Sequence, residues 1–209
     1  VAIKRKRRVR PTSSVETPDS DSVRLRILRG AAAVFGRLGY AATSVESILA
    51  EARVSRRTFY KTFRSKDDVL RVLFENSVAM LLKAVDTENR SGKPSHERLA
   101  SGVEAYVRVQ ARAGPLARVL LLEQFSPNSP LSRQRDAGMS AFATLISEAI
   151  ERMGRTTPDP ILVRGVVAAL NEIAVQMATA YASGAWDIER AKNAMLRVLL
   201  ALDDRFPAR

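Results

Sequence analysis

Apolar residues recur along this chain at three- and four-residue steps, the spacing of one face of a helix. Beginning at Ser22, the positions Leu25, Leu28, Ala32 and Phe35 mark a helix that stops at Gly39 and Tyr40, with Gly39 suited to a left-handed cap. Val45, Ile48, Leu49 and Ala52 supply the apolar side of a second, short helix, opened by Thr43 and Glu46 at capping-box spacing. A third starts after Ser55, a good N-cap that makes Arg56 the first helical residue and sets Val54 one staple away from Phe59. Ser65 with Asp68 opens a fourth, which runs through Leu70, Leu73, Phe74, Leu81 and Leu82 to about Val85. The polar run ENRSGKPSH ends it. Further helices are predicted over Glu97–Ala113, Pro115–Phe125, Pro130–Met153, Pro160–Ala182 and Asp187–Asp204. No segment has a strand period, a hairpin signal or an internal repeat, so the fold class is all-α.

The third helix separates two jobs. At about 100° per residue, Phe59 and Phe63 share one face and Arg57, Thr58 and Lys61 the opposite one, with Arg56 and Tyr60 on the flanks. The phenylalanines anchor the helix to the two before it and the basic face is offered outward. Three short helices so arranged make a helix-turn-helix, whose last helix fits the major groove of B-DNA. There an arginine can contact guanine O6 and N7 together, while the Tyr hydroxyl and Lys reach phosphates. A basic, solvated helix with core aromatics is the plainer alternative on spacing alone.

Charge agrees with the first reading. The 209 residues carry a net charge of +12, of which residues 1–90 supply +9 from 19 basic and 10 acidic side chains. A phosphate-bearing partner, nucleic acid or an anionic membrane surface, suits such asymmetry. The cluster KRKRRVR, Lys4 to Arg10, stands in a stretch, residues 1–21, whose composition cannot build a core. It reads as a disordered arm that acts as a nonspecific electrostatic tail, or less simply as an arm for an adjacent minor groove. No apolar core follows the cluster, so no signal peptide is expected, and the absence of cysteine fits a cytoplasmic location. The longest charge-free run in the apolar C-terminal part, Ile173 to Trp186, has 14 residues, too few to span a bilayer.

Residues Arg26 to Leu70 resemble the DNA-binding domain of the tetracycline-repressor-like (TetR) family of bacterial transcriptional regulators. The matching elements are Phe35 with LGY to Tyr40, TSV at Thr43 to Val45, Val54 with Ser55, Phe59 with Tyr60, Phe63, and SKDDVL at Ser65 to Leu70. The resemblance implies a homodimer on a near-palindromic double-stranded DNA operator, with residues 22–66 as the reading domain and residues 67–209 as a helical ligand-binding and dimerisation domain. By position, Arg56, Arg57, Thr58, Tyr60 and Lys61 fall where the family contacts bases and phosphates, Thr43 and Ser44 where its second helix meets phosphate, and Lys66 where its fourth does. One departure stands out: the turn between the second and third helices often carries Gly where this chain has Arg53. If that turn needs positive φ, Arg costs about 1 kcal/mol relative to Gly, and the residue either adds a phosphate contact or is merely tolerated at the surface. Glu46 reads as a cap and dipole partner.

The C-terminal part is less explicit. Between Ile161 and Ala182 only Arg164 and Glu172 are charged, so that helix must be covered on two sides. The final helix carries Ile188, Ala191, Met195, Val198 and Leu202 at helical spacing. Packed against two-fold mates, the pair would form a four-helix bundle, as the resemblance also implies; periodicity alone admits a core within one chain. A pocket for an unidentified small-molecule effector is expected between the fourth and eighth helices, with apolar candidates Phe74, Tyr106, Phe125, Met139, Phe142 and Met177 and polar candidates Glu123, Asn171, Glu172 and Gln176.

Catalysis lacks an inventory. His96 is the sole histidine and stands in a polar linker, and neither GxSxG, a P-loop nor a dinucleotide-binding glycine pattern occurs. No catalytic residue, metal site, cofactor or membrane partner is expected. The favoured function is a ligand-released repressor; the alternatives are a regulator or activator without a small-molecule ligand, and a nonspecific nucleoid or membrane-surface protein.

Overall fold

The computed structural model describes residues 18–156, 158–180 and 187–203, and all regular structure among them is helical. The order is α1 (Pro18–Leu38), α2 (Val45–Ala52), α3 (Arg56–Thr62), α4 (Lys66–Asn89), α5 (Ser95–Ala113), α6 (Pro115–Glu123), α7 (Ser132–Arg152), α8 (Pro160–Ala180) and α9 (Ile188–Asp203). α1 starts four residues before the expected Ser22. Pro18 explains this, since its fixed φ and missing N–H suit a first turn. The basic cluster Lys4 to Arg10 lies outside the described residues.

Local caps set most boundaries. Gly39 takes φ 78°, and its N–H returns to Phe35 O at 2.8 Å, closing α1. Ser55 Oγ accepts from Thr58 N–H, and Ser65 Oγ accepts from Asp68 N–H, as their spacing predicts. The box that opens α2 is shifted by one residue: Ser44 is the N-cap and Ser47 its reciprocal partner. Thr43 is turned inward instead, its hydroxyl donating to Gly39 O at 2.6 Å. Arg53 closes α2 at φ 52° and ψ 50°, so the left-handed turn is present and arginine bears a cost of about 1–2 kcal/mol there. α3 ends at Thr62. Phe63 is its extended C-cap, outside the helix, yet its ring is buried and 6.1 Å from that of Phe59.

Two cores share one helix. The first joins Ile27, Ala31 and Phe35 of α1, Ile48 and Ala52 of α2, and Phe59 and Phe63 to Leu70, Leu73 and Phe74 of α4 and Leu120 of α6. The second joins Val103 and Val107 of α5, Leu121 of α6, Ala174 and Ala178 of α8, and Ala191 and Met195 of α9. Adjacent residues of α6 thus point into different cores. The first core also crosses residue 66, so α4 and α6 hold the N-terminal helices directly.

α1 meets α2 at Gly30, where a Cβ would stand 2.9 Å from both Cβ and N of Ala52. Backbone cannot yield as a side-chain tip does, so glycine is required for this approach.

α8, with 21 residues, is long and apolar enough to cross a membrane, unlike the shorter charge-free run considered from sequence. Its buried residues Val163, Val166, Val167, Ala174 and Ala178 lie against neighbouring helices of the same chain.

Candidate functional site

The outward face of α3 is built from its inward one. Phe59 is fully buried beneath it, a burial that stabilises by roughly 1.5–3 kcal/mol. Arg57, Tyr60 and Lys61 are exposed on the surface above, and Thr58 is half-exposed. The Tyr60 and Phe59 rings meet edge to face, 5.3 Å between centroids. Arg56 differs from its neighbours because its guanidinium is paired with Glu46 of α2. Glu46 is therefore a tie between α2 and α3, a role that spacing ten residues apart gave no means to read. Ser44 is exposed at the N-terminus of α2, where its hydroxyl also caps the helix.

Two residues expected at phosphates have other tasks. Thr43 retains 2 % of its accessible surface and its hydroxyl is spent on Gly39. Lys66 Nζ donates to Tyr40 O at 3.0 Å and Thr43 O at 2.8 Å, and lies 4.4 Å from the centre of the Tyr40 ring. Its charge ties the α1–α2 loop to the start of α4. Tyr40 in turn donates to Asp67 Oδ1 at 2.5 Å, and burial followed by that carboxylate holds its hydroxyl far above the ordinary range.

A cavity of about 540 Å3 lies in the C-terminal part, lined from α4 to α9. Of the ten expected residues, Phe74, Tyr106, Met139, Phe142 and Asn171 line it. Tyr106 and Phe142 meet edge to face at 5.9 Å, and the Tyr106 hydroxyl accepts from Gln110 Nε2 at 3.3 Å. Leu145, Ile146, Ala149 and Ile150 of α7 also line it, although none of them was among the expected residues. Among the described residues no Asp or Glu lines the cavity, whereas Arg135, Arg155 and His96 do.

The other five are elsewhere. Phe125 is half-exposed beneath the Arg135 guanidinium, 5.5 Å away. Glu172 and Gln176 bond to each other at 2.6 Å on the outside of α8, and Met177 packs in the second core. Glu123 is half-buried near Lys66; burial pushes its carboxyl above the usual range, against a hydrogen bond with Ser126 and the Lys66 charge.

Part of the stripe expected between subunits packs within one chain. Ala191 and Met195 are buried, and Ile188 is packed beside them against α8. Val198 is half-buried, and the Leu202 side chain lies outside the described residues. A different stripe stays uncovered on α8: Ile161, Gly165, Ala168, Glu172, Gln176 and Thr179.

Comparison with known proteins places this geometry. Residues 27–73 match the family model described as bacterial regulatory proteins, tetR family. The chain is 30% identical over 82 residues to the uncharacterized HTH-type transcriptional regulator YerO of Bacillus subtilis (strain 168). That match takes in 38% of this chain and 28% of the relative, so the chain spans well under half of it. The fold is shared with the fatty acid degradation regulator FadR from Bacillus halodurans, at TM-score 0.68 and 20% identity, covering 82% of this chain and 96% of that one. It is shared also with FadR from Thermus thermophilus, a TetR-family transcriptional repressor in complex with lauroyl-CoA, at TM-score 0.61 and 24% identity, covering 84% and 93%.

Proposed function

We propose that this chain, whose residues 27–73 match the family model described as bacterial regulatory proteins, tetR family, is a sequence-specific repressor in the bacterial cytoplasm, released from a near-palindromic operator by a small molecule. The observation that carries the reading is the exposed row Arg57, Tyr60 and Lys61 above the buried Phe59. Arg57 reads base edges, and Ser44, Thr58, Tyr60 and Lys61 position the helix on phosphates and groove wall. Arg56 supports this surface through Glu46.

A homodimer supplies two reading heads. The uncovered stripe of α8 supports it, since Gly165 and Ala168 allow two copies to approach closely around Ile161. The effector occupies the cavity among α4 to α9. An apolar body with a neutral or acidic polar end suits walls that, among the described residues, bear arginine and no carboxylate, and the lauroyl-CoA complex of the Thermus thermophilus protein supports an acyl chain as the first probe. α6 couples the two regions, because Leu120, Leu121 and Gln124 line the cavity while Leu120 also belongs to the core of the reading head. Half-sites demand a fixed distance between recognition helices, so a small tilt forfeits affinity.

Selection of bound duplexes from random DNA at physiological salt is the test. An inverted repeat is expected; a pool with no common sequence contradicts the reading.

A further inference from the structure

The arginine in the turn before α3 is not alone. Arg26 and Arg29 of α1 and Arg53 line one surface groove together with Gly30, Glu51 and Ala52. All three arginines are exposed and none is ion-paired among the described residues. The groove's single acid, Glu51, is taken by Arg37 at 3.0 Å. Three solvent-exposed positive charges thus share one groove, and no acidic side chain among the described residues pairs with them. The platform is stiff, because the backbone approach at Gly30 and Ala52 fixes α1 against α2.

Backbone strain points the same way. Arg53 sits at φ 52°, where glycine would be free of cost. A strained residue that projects a charge into a charged groove is better explained by what the groove binds than by the fold.

We infer that Arg26, Arg29 and Arg53 form a second phosphate-binding surface for the same DNA duplex, contacting the sugar–phosphate backbone beside the groove that α3 enters. This rests on the proposed reading of DNA by α3. Reach supports it: Arg53 and Arg57 are four residues apart, hence at most about 14 Å between Cα atoms. The major groove is about 12 Å wide, so the phosphates bordering it stand within range of an extended arginine at the turn. These contacts carry no sequence information; they raise affinity on any duplex and deepen its salt dependence.

The test uses the full chain, its selected operator and a random duplex of equal length, with thermal midpoint and the log–log salt slope of affinity as readouts. Arg53→Gly is expected to raise the midpoint by about 2–4 °C and yet shrink the slope by about 1 on both duplexes. Arg26→Gln with Arg29→Gln is expected to leave the midpoint unchanged and shrink the slope by about 2. Wild-type slopes in these variants overturn the second surface, and for Arg53→Gly a raised midpoint with an unchanged slope identifies a merely tolerated residue. Arg57→Ala separates the two claims. If it loses operator preference while the other variants keep wild-type slopes, only the second surface fails; if it keeps operator preference, the reading by α3 fails and the inference with it.

Discussion

Lys66 holds Thr43 by its backbone, the ammonium donating to the Thr43 carbonyl at 2.8 Å while a second bond goes to Tyr40 O at 3.0 Å. Hydrogen bonds from a charged group to half-buried carbonyls contribute about 1.5–3 kcal/mol. Lys66→Met is therefore expected to destabilise the protein by about that much in urea unfolding. Its loss of DNA affinity should be accompanied by loosening of the α1–α2 loop, seen as faster amide exchange near Thr43. A variant of wild-type stability whose only defect is a shallower salt slope would return Lys66 to the phosphates.

Gly30 offers a test of the α1–α2 crossing. In a helix interior Gly→Ala normally stabilises by roughly 0.5–1 kcal/mol. Here the added Cβ would meet Ala52 N and Cβ at 2.9 Å, so the sign reverses. Gly30→Ala is expected to cost about 1–3 kcal/mol in denaturant unfolding.

Much of the reading head is legible in the sequence because its signals are local. Ser55 and Ser65 cap where spacing puts them, and Gly39 and Arg53 both take positive φ. The cap of α2 slips by one because Thr43 and Ser44 are both competent caps; only tertiary packing, which buries Thr43, decides between them. The cavity is half legible for a related reason. Periodicity tells which residues of α8 share a face, but not whether that face meets a void, α9 or solvent. Asn171 thus lines the cavity while Glu172 and Gln176, one face away, do not. Likewise Ala191 and Met195 form an apolar stripe that satisfies α8 of the same chain.

Filling the cavity separates effector response from DNA binding. Ala149 lines it, and Ala149→Leu is expected to raise stability by about 0.5–2 kcal/mol and leave operator affinity unchanged. Lauroyl-CoA, if it releases the wild type, should no longer release this variant in a gel-shift titration. Equal release of both proteins would remove the cavity from the effector pathway.

Acid should act through Asp68. Its carboxyl is held below the usual range first by the hydrogen bond from Arg64, then by the Arg64 backbone N–H and the charges of Arg64 and Arg71, against the opposing effect of burial. A depressed carboxyl contributes stability that is complete above the ordinary carboxylate value near 4 and is lost as pH falls through the lower folded value. Asp68→Asn is therefore expected to be less stable than wild type at pH 7, with the difference closing below about pH 4. A difference that stays constant down to pH 2 would show that the charge does not matter.

Under the proposed function, the Arg57 guanidinium, exposed on α3 over the buried Phe59, reads base edges. The most direct measurement is the affinity of Arg57→Ala for the selected operator, for operators changed at each base pair, and for random DNA. A loss of about 1–3 kcal/mol on the operator, with preference relaxed at a single position of each half-site and random DNA little affected, is the predicted result. An equal loss on every duplex, or none on any, contradicts it.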